Sequence, residues 1–109
     1  HVPTYNIVDV NHKLQTLYNV DARYGYPIVK GNNPTPQCGI LPPGIYAGYD
    51  VIPVPIPNRV RVSWDDASGK HYAQEIDVLD VVGAKFSGDI RFIVEPDGNV
   101  TLDKKPRHN

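Results

Sequence analysis

The chain has 109 residues, 40% hydrophobic and 21% charged, with a net charge of −1 and no basic run longer than Lys104-Lys105. That length allows one core and no separate catalytic lobe, and the charge balance leaves no electrostatic footprint for nucleic acid. Eleven prolines and nine glycines exclude a helical bundle, and no apolar run approaches the roughly 18–20 residues of a membrane span.

Tyr5 to Val10 carries apolar side chains at Tyr5, Ile7 and Val8, and the Asn11-His12 step reads as a turn. Leu14 to Val20 places Leu14, Thr16, Tyr18 and Val20 on one face and Gln15, Leu17 and Asn19 on the other. Residues 1–20 therefore read as two strands. The chain opens at His1 with neither an initiator Met nor a signal sequence, and is taken as a mature or trimmed piece of a longer precursor.

Residues 21–58 hold eight prolines in thirty-eight positions, with Gly25, Gly31, Gly39, Gly44 and Gly48 among them. Such a density forbids a long helix and a central strand alike. Tyr24, Tyr26, Ile40, Leu41, Tyr46 and Tyr49 mark the segment as an ordered loop rather than a disordered linker. Its last part, Val51 to Pro57, suits an edge strand or an extended polyproline run. Cys38 is the only cysteine; it excludes an internal disulfide framework and a thiolate zinc site and reads as a small buried hydrophobe.

The clearest signal follows. Val60, Val62 and Trp64 alternate with Arg59, Arg61 and Ser63, and Tyr72, Gln74, Ile76 and Val78 alternate with His71, Ala73, Glu75 and Asp77, around a polar turn from Asp65 to Lys70. Two runs of period two flanking such a turn predict a β-hairpin with Trp64 buried. Leu79 to Gly88 reads as a connection whose Val81, Val82 and Phe86 pack inward. Asp89 to Glu95 alternates again, with Ile90, Phe92 and Val94 on the core face. Pro96-Asp97-Gly98-Asn99 is a tight-turn signal, and Val100 to Leu102 returns as the last strand. Residues 59–103 thus form two hairpins, and the basic tail 104–109 is expected to fray. About six or seven short strands joined by hairpins predict an all-β single domain, a small antiparallel β-sandwich or open barrel with a long Pro/Gly-rich loop.

Signals for chemistry are sparse. His1, His12, His71 and His108 show no spacing that sets two ligands on one side of a strand or helix. The Asp65-Asp66-Ala67-Ser68-Gly69-Lys70 run lacks the spaced oxygen ligands of a calcium loop and reads as a solvated hairpin tip. Ser63, Ser68 and Ser87 lie in no nucleophile elbow, and Gly25 and Gly31 are too far apart for a phosphate loop. The expectation is a non-enzymatic domain with no catalytic residue, metal or cofactor. Four tyrosines in the Pro-rich loop offer rigid amphipathic contact area. Tyr24, Tyr26, Tyr46 and Tyr49, with Asp50 and the tip acids Asp65 and Asp66, are the residues expected to bind a partner.

The order of these segments, from YNIVDVNH through QCGILPPG and VRVSWDDASGKHYAQEIDV to IRFIVEPDGNV, resembles a family of small bacterial lipoproteins. Some of its members are immunity proteins for phospholipase effectors of the type VI secretion system. The chain shows Cys38-Gly39 where a Cys-Cys pair is common in that family, and its sequence holds no lipid-bearing N-terminal cysteine. The resemblance implies a periplasmic protein, lipid-anchored in its precursor, that inhibits a cognate secreted lipase or phospholipase by covering its active site. The alternative from the residues is an extracellular carbohydrate-binding or adhesin-like module that uses exposed tyrosines as stacking platforms.

Overall fold

The computed structural model describes residues 4–21, 39–48 and 55–106. They build seven strands and one helical turn: β1 (Tyr5–Asn11), β2 (Tyr18–Asp21), β3 (Tyr46–Gly48), β4 (Arg59–Asp65), β5 (His71–Asp77), α1 (Leu79–Val82), β6 (Gly88–Val94) and β7 (Val100–Pro106). The strands form a four-stranded sheet of order β3-β1-β6-β7 and a three-stranded sheet of order β2-β4-β5. Neither sheet closes on itself, so the architecture is the sandwich and not the barrel.

Between the sheets lies one core. All eight residues expected to face inward from the two hairpins, Val60, Val62, Trp64, Ile76, Val78, Ile90, Phe92 and Val94, are buried in it, joined by Tyr5, Ile7, Leu17, Val20, Leu41 and Ile56. β4 and β5 pair from Arg59↔Asp77 to Asp65↔His71, with the inward residues of both strands on one face as the alternation predicts and Asp65, expected in the turn, ending β4. Burial of a phenol in this apolar interior pushes the Tyr5 pKa up to about 12, because the charged form loses its hydration.

Several expectations are corrected. Pairing is antiparallel throughout except at the centre of the larger sheet, where β1 and β6 run parallel from Tyr5↔Gly88 to Asn11↔Val94. Parallel neighbours need a long crossover, here the whole of the intervening chain. The alternation assigned to Leu14–Val20 fails at both ends: Leu14 is 85% exposed, whereas Leu17 and Val20 are both buried. Asn19 has φ 51°, and the β2–β4 register slips by one residue between Tyr18 and Asp21. This bulge lets residues three apart share a face.

The Pro-rich stretch contributes β3, an edge strand antiparallel to β1 from Val8↔Gly48 to Val10↔Tyr46. Of the expected edge strand over Val51–Pro57, positions 51–54 lie outside the described residues, and Pro55–Pro57 carries no strand although Ile56 is buried. Cys38 is also outside them. Within the expected connection, Leu79–Val82 forms the single helical turn α1; Val82 is buried as expected but Val81 is 49% exposed. The tail does not fray at Lys104: β7 continues to Pro106, opposite Gly88.

Candidate functional site: the loop end of the sandwich

β1, β4 and β6 all finish at one end of the sandwich, and β2, β5 and β7 start there. Four connections meet at this end. Two of them, joining β4 to β5 and β6 to β7, are built alike. In each, a strand pair is closed by a backbone bond across a three-residue loop (Asp66 N–H to Lys70 C=O, 2.9 Å; Glu95 N–H to Asn99 C=O, 2.8 Å). The third loop residue is a glycine in the left-handed region, Gly69 at φ 89° and Gly98 at φ 92°, the conformation that a three-residue hairpin with a bulge requires.

Side chains fix each turn further. Asp97 accepts from the Asn99 backbone N–H (2.9 Å). Asp66 is more heavily used: its carboxylate accepts from the Ser68 hydroxyl (2.6 Å), the Ser68 and Lys70 backbone N–H groups (2.9 and 3.0 Å) and the Tyr72 hydroxyl (3.0 Å). These bonds, the Ser68 hydroxyl first, hold its pKa at about 2 against an ordinary 3.8, and the same contact raises that of Tyr72. The tip acid is thus a fixed internal acceptor rather than the freely solvated group expected from the sequence.

The β1–β2 connection is organised by Asn11. It is fully buried, donates from Nδ2 to the Gln15 and Leu41 carbonyls (2.9 and 2.8 Å) and accepts the Lys13 N–H at 2.8 Å. Lys13 Nζ reaches the Pro96 carbonyl at 3.4 Å, tying this loop to the β6–β7 turn. The fourth connection brings Leu41 against Leu17 and Gly44 against the Asn11 carbonyl. Gly39 precedes it at φ +83°, so close to β2 that an added Cβ would lie 2.6 Å from the Val20 carbonyl oxygen. Only glycine fits there.

Between these connections opens a cleft of about 430 Å³, lined by Lys13, Gln15, Thr16 and Leu17 on one side, Asp66, Ala67 and Ser68 on another, and Asp97 and Gly98 on the third. Trp64 and Tyr72, cross-strand neighbours stacked at 5.5 Å between ring centroids, form the floor. Leu14, flanked by two lining residues, is 85% exposed, and Ile45 and Tyr46 are exposed at the same end. Exposed apolar groups at the rim of a polar-walled concavity mark a contact surface more than a solvated loop.

Of the residues singled out from the sequence, Tyr46, Asp65 and Asp66 are described and come to this end, Tyr46 on the larger sheet and the two acids on the smaller. Tyr24, Tyr26, Tyr49 and Asp50 fall outside the described residues. Lys13, Gln15, Thr16 and Tyr72 were not expected to line a site; the Asn11-His12 turn signal pointed to a connection there but not to its length. Asp65 does not line the cleft. It accepts from Asn19 Nδ2 (2.8 Å) and lies 2.6 Å from His71 Nδ1, contacts that lower its pKa, His71 foremost. An Asp–His pair is half of a nucleophile-activating arrangement, but the tip serine, Ser68, gives its proton to Asp66 instead. Among the described residues no three His, Cys, Asp or Glu side chains converge to hold a metal ion, and no helix is long and apolar enough to cross a membrane. Compared with protein-family models, with curated proteins and with solved structures, the chain matches none.

Proposed function

We propose that this domain acts by binding and that its partner is a protein docked on the loop end of the sandwich. The observation that supports the reading is the cleft itself: two glycine-closed turns and an Asn11-fixed loop wall it, Leu14 stands exposed between two of its lining residues, and Ile45 and Tyr46 are exposed at the same end of the sandwich. A preformed concavity with apolar rim groups loses little entropy on docking. It is the kind of surface in which a few anchors carry most of the affinity. Taken with the resemblance of the sequence to immunity lipoproteins, the partner is a secreted lipase or phospholipase effector, and the domain covers its active-site mouth in the periplasm. The carbohydrate reading asks for open aromatic planes. In the cleft, Trp64 is only 2% exposed and stacks on Tyr72.

The test is a search of the genes adjacent to this one for a secreted lipase, followed by an affinity measurement against its product. Leu14→Asp and Tyr46→Ala are each expected to weaken binding by about tenfold or more, roughly 1.4 kcal/mol, and Arg61→Ala on the outer face of β4 to leave it unchanged. Loss of binding with Arg61→Ala alone would move the surface to the strand face. Absence of any lipase binding, with retention on an oligosaccharide array, would replace the immunity reading by the carbohydrate one.

A further inference from the structure

Among the described residues the two sheets present four edge strands, whose outward backbone groups are treated differently. β2 is flanked by residues 39–41, with Val20 N–H on the Gly39 carbonyl and Leu17 exchanging both bonds with Leu41. β3 has three residues. On β7 the Glu95–Asn99 bond sets the phase, so Val100, Leu102, Lys104 and Pro106 turn their backbone groups outward. There the Gln74 side chain takes the Val100 N–H and C=O (3.0 and 3.1 Å), Asp103 Oδ1 takes the Lys104 N–H (2.9 Å), and Pro106 has no N–H to offer. These are devices that blunt an edge.

β5 has none of them. The bonds Asp66 N–H to Lys70 C=O and Val78 N–H to Asn58 C=O fix its phase, so His71, Ala73, Glu75 and Asp77 direct N–H and C=O away from β4. All four residues are exposed, and no side chain among the described residues caps those groups. We propose that β5 is a self-association edge: two copies of the chain pair antiparallel through His71–Asp77 about a two-fold axis at Gln74, joining their three-stranded sheets into one.

Register and charge select this occupant and this axis. With the axis at Gln74 every outward residue meets an outward residue, as mutually bonded antiparallel pairs require: His71 faces the partner's Asp77, and Ala73 faces the partner's Glu75. Within one chain Asp65 already contacts His71 at 2.6 Å and Arg59 contacts Asp77 at 3.0 Å. The pairing therefore lays a row of alternating acidic and basic side chains across four strands, Asp65, His71, the partner's Asp77 and the partner's Arg59, and repeats it by symmetry. Moving the axis to Glu75 would set the two Glu75 carboxylates against each other, and moving it to Ala73 would leave Asp77 facing the turn at Gly69.

Sedimentation velocity of the full chain over a concentration series tests this. The wild type is expected to show a monomer–dimer equilibrium. Ala73→Asp, which sets an acid opposite the partner's Glu75 at two symmetric places without touching the β4 ladder, is expected to weaken the dimer by about tenfold or more. The double variant Ala73→Asp/Glu75→Lys is expected to restore it, which separates lost pairing from lost folding. A wild type that stays monomeric at the highest soluble concentration, a dimer indifferent to Ala73→Asp, or a double variant that fails to recover would each overturn the proposal.

Discussion

The smaller sheet has one wet face, whereas the outer face of the larger sheet's central strands is buried over part of its length. Along β4, Val60, Val62 and Trp64 are at most 2% exposed, while Arg59 and Arg61 are exposed on the other side. Along β1, Tyr5, Ile7, Asp9 and Asn11 turn to the core side, yet Val8 and Val10 on the opposite side are buried as well, clustering with Ile93 of β6. The difference follows from pairing: β1 and β6 are the inner, parallel pair of their sheet, and such strands are covered on both faces. Period-two alternation fades where both faces are buried, as from Ile7 to Asn11 along β1.

The largest effect expected is at the core shared by both sheets. Trp64→Ala should lower unfolding free energy by about 3–5 kcal/mol, because it empties a fully packed position. Ile93→Ala, in the three-residue outer cluster, should cost about 2 kcal/mol, at the low end for such a truncation. Chemical denaturation of the two variants compares the faces directly, and equal losses would make the outer cluster a second core. Next comes Asn11→Ala, which removes the side-chain partner of the Gln15 carbonyl and the Lys13 N–H and one of the two donors to the Leu41 carbonyl, and should cost about 1–3 kcal/mol. Its distinctive readout is faster amide exchange at Lys13–Leu17, with the β4–β5 hairpin unchanged.

The smallest effect is a pH dependence confined to the tip of the one-sided sheet. The folded pKa of Asp66 is depressed from 3.8 to about 2. Its contribution to stability is therefore present above the ordinary carboxylate value and is lost as pH falls from 3.8 towards 2. The wild-type denaturation midpoint should drop across that window by more than that of Asp66→Asn, and parallel curves would mean that the tip network is not formed in solution.

The hairpin from Arg59 to Asp77 was legible, with its core face, because Trp64 and Val62 have arginine or serine neighbours that must face water. The Pro96–Asn99 turn was legible for a similar local reason: a glycine sits where positive φ is needed. β2 was misread because a bulge at Asn19 is invisible to a strict alternation, and because Leu14 lies in the loop before the strand rather than on it. The site was only partly legible. Asp66 was flagged as a charge, but its role as an acceptor for Ser68, Lys70 and Tyr72 depends on a turn geometry that composition does not encode. Lys13 and Gln15 enter the cleft only because Asn11 holds their loop, a long-range dependence on Leu41.

The parallel β1–β6 pair also orders events in time. Asn6 and Asp89, hydrogen-bonded neighbours across it, are 83 residues apart in the chain. As the polypeptide leaves a ribosome or a translocation channel, β1 emerges first and its principal neighbour among the last segments, whereas β4 and β5 can close their hairpin from adjacent sequence. β1, which β3 can pair on one side, must therefore wait with its other edge open until β6 arrives, the slow and aggregation-exposed phase typical of long-range sheet pairing.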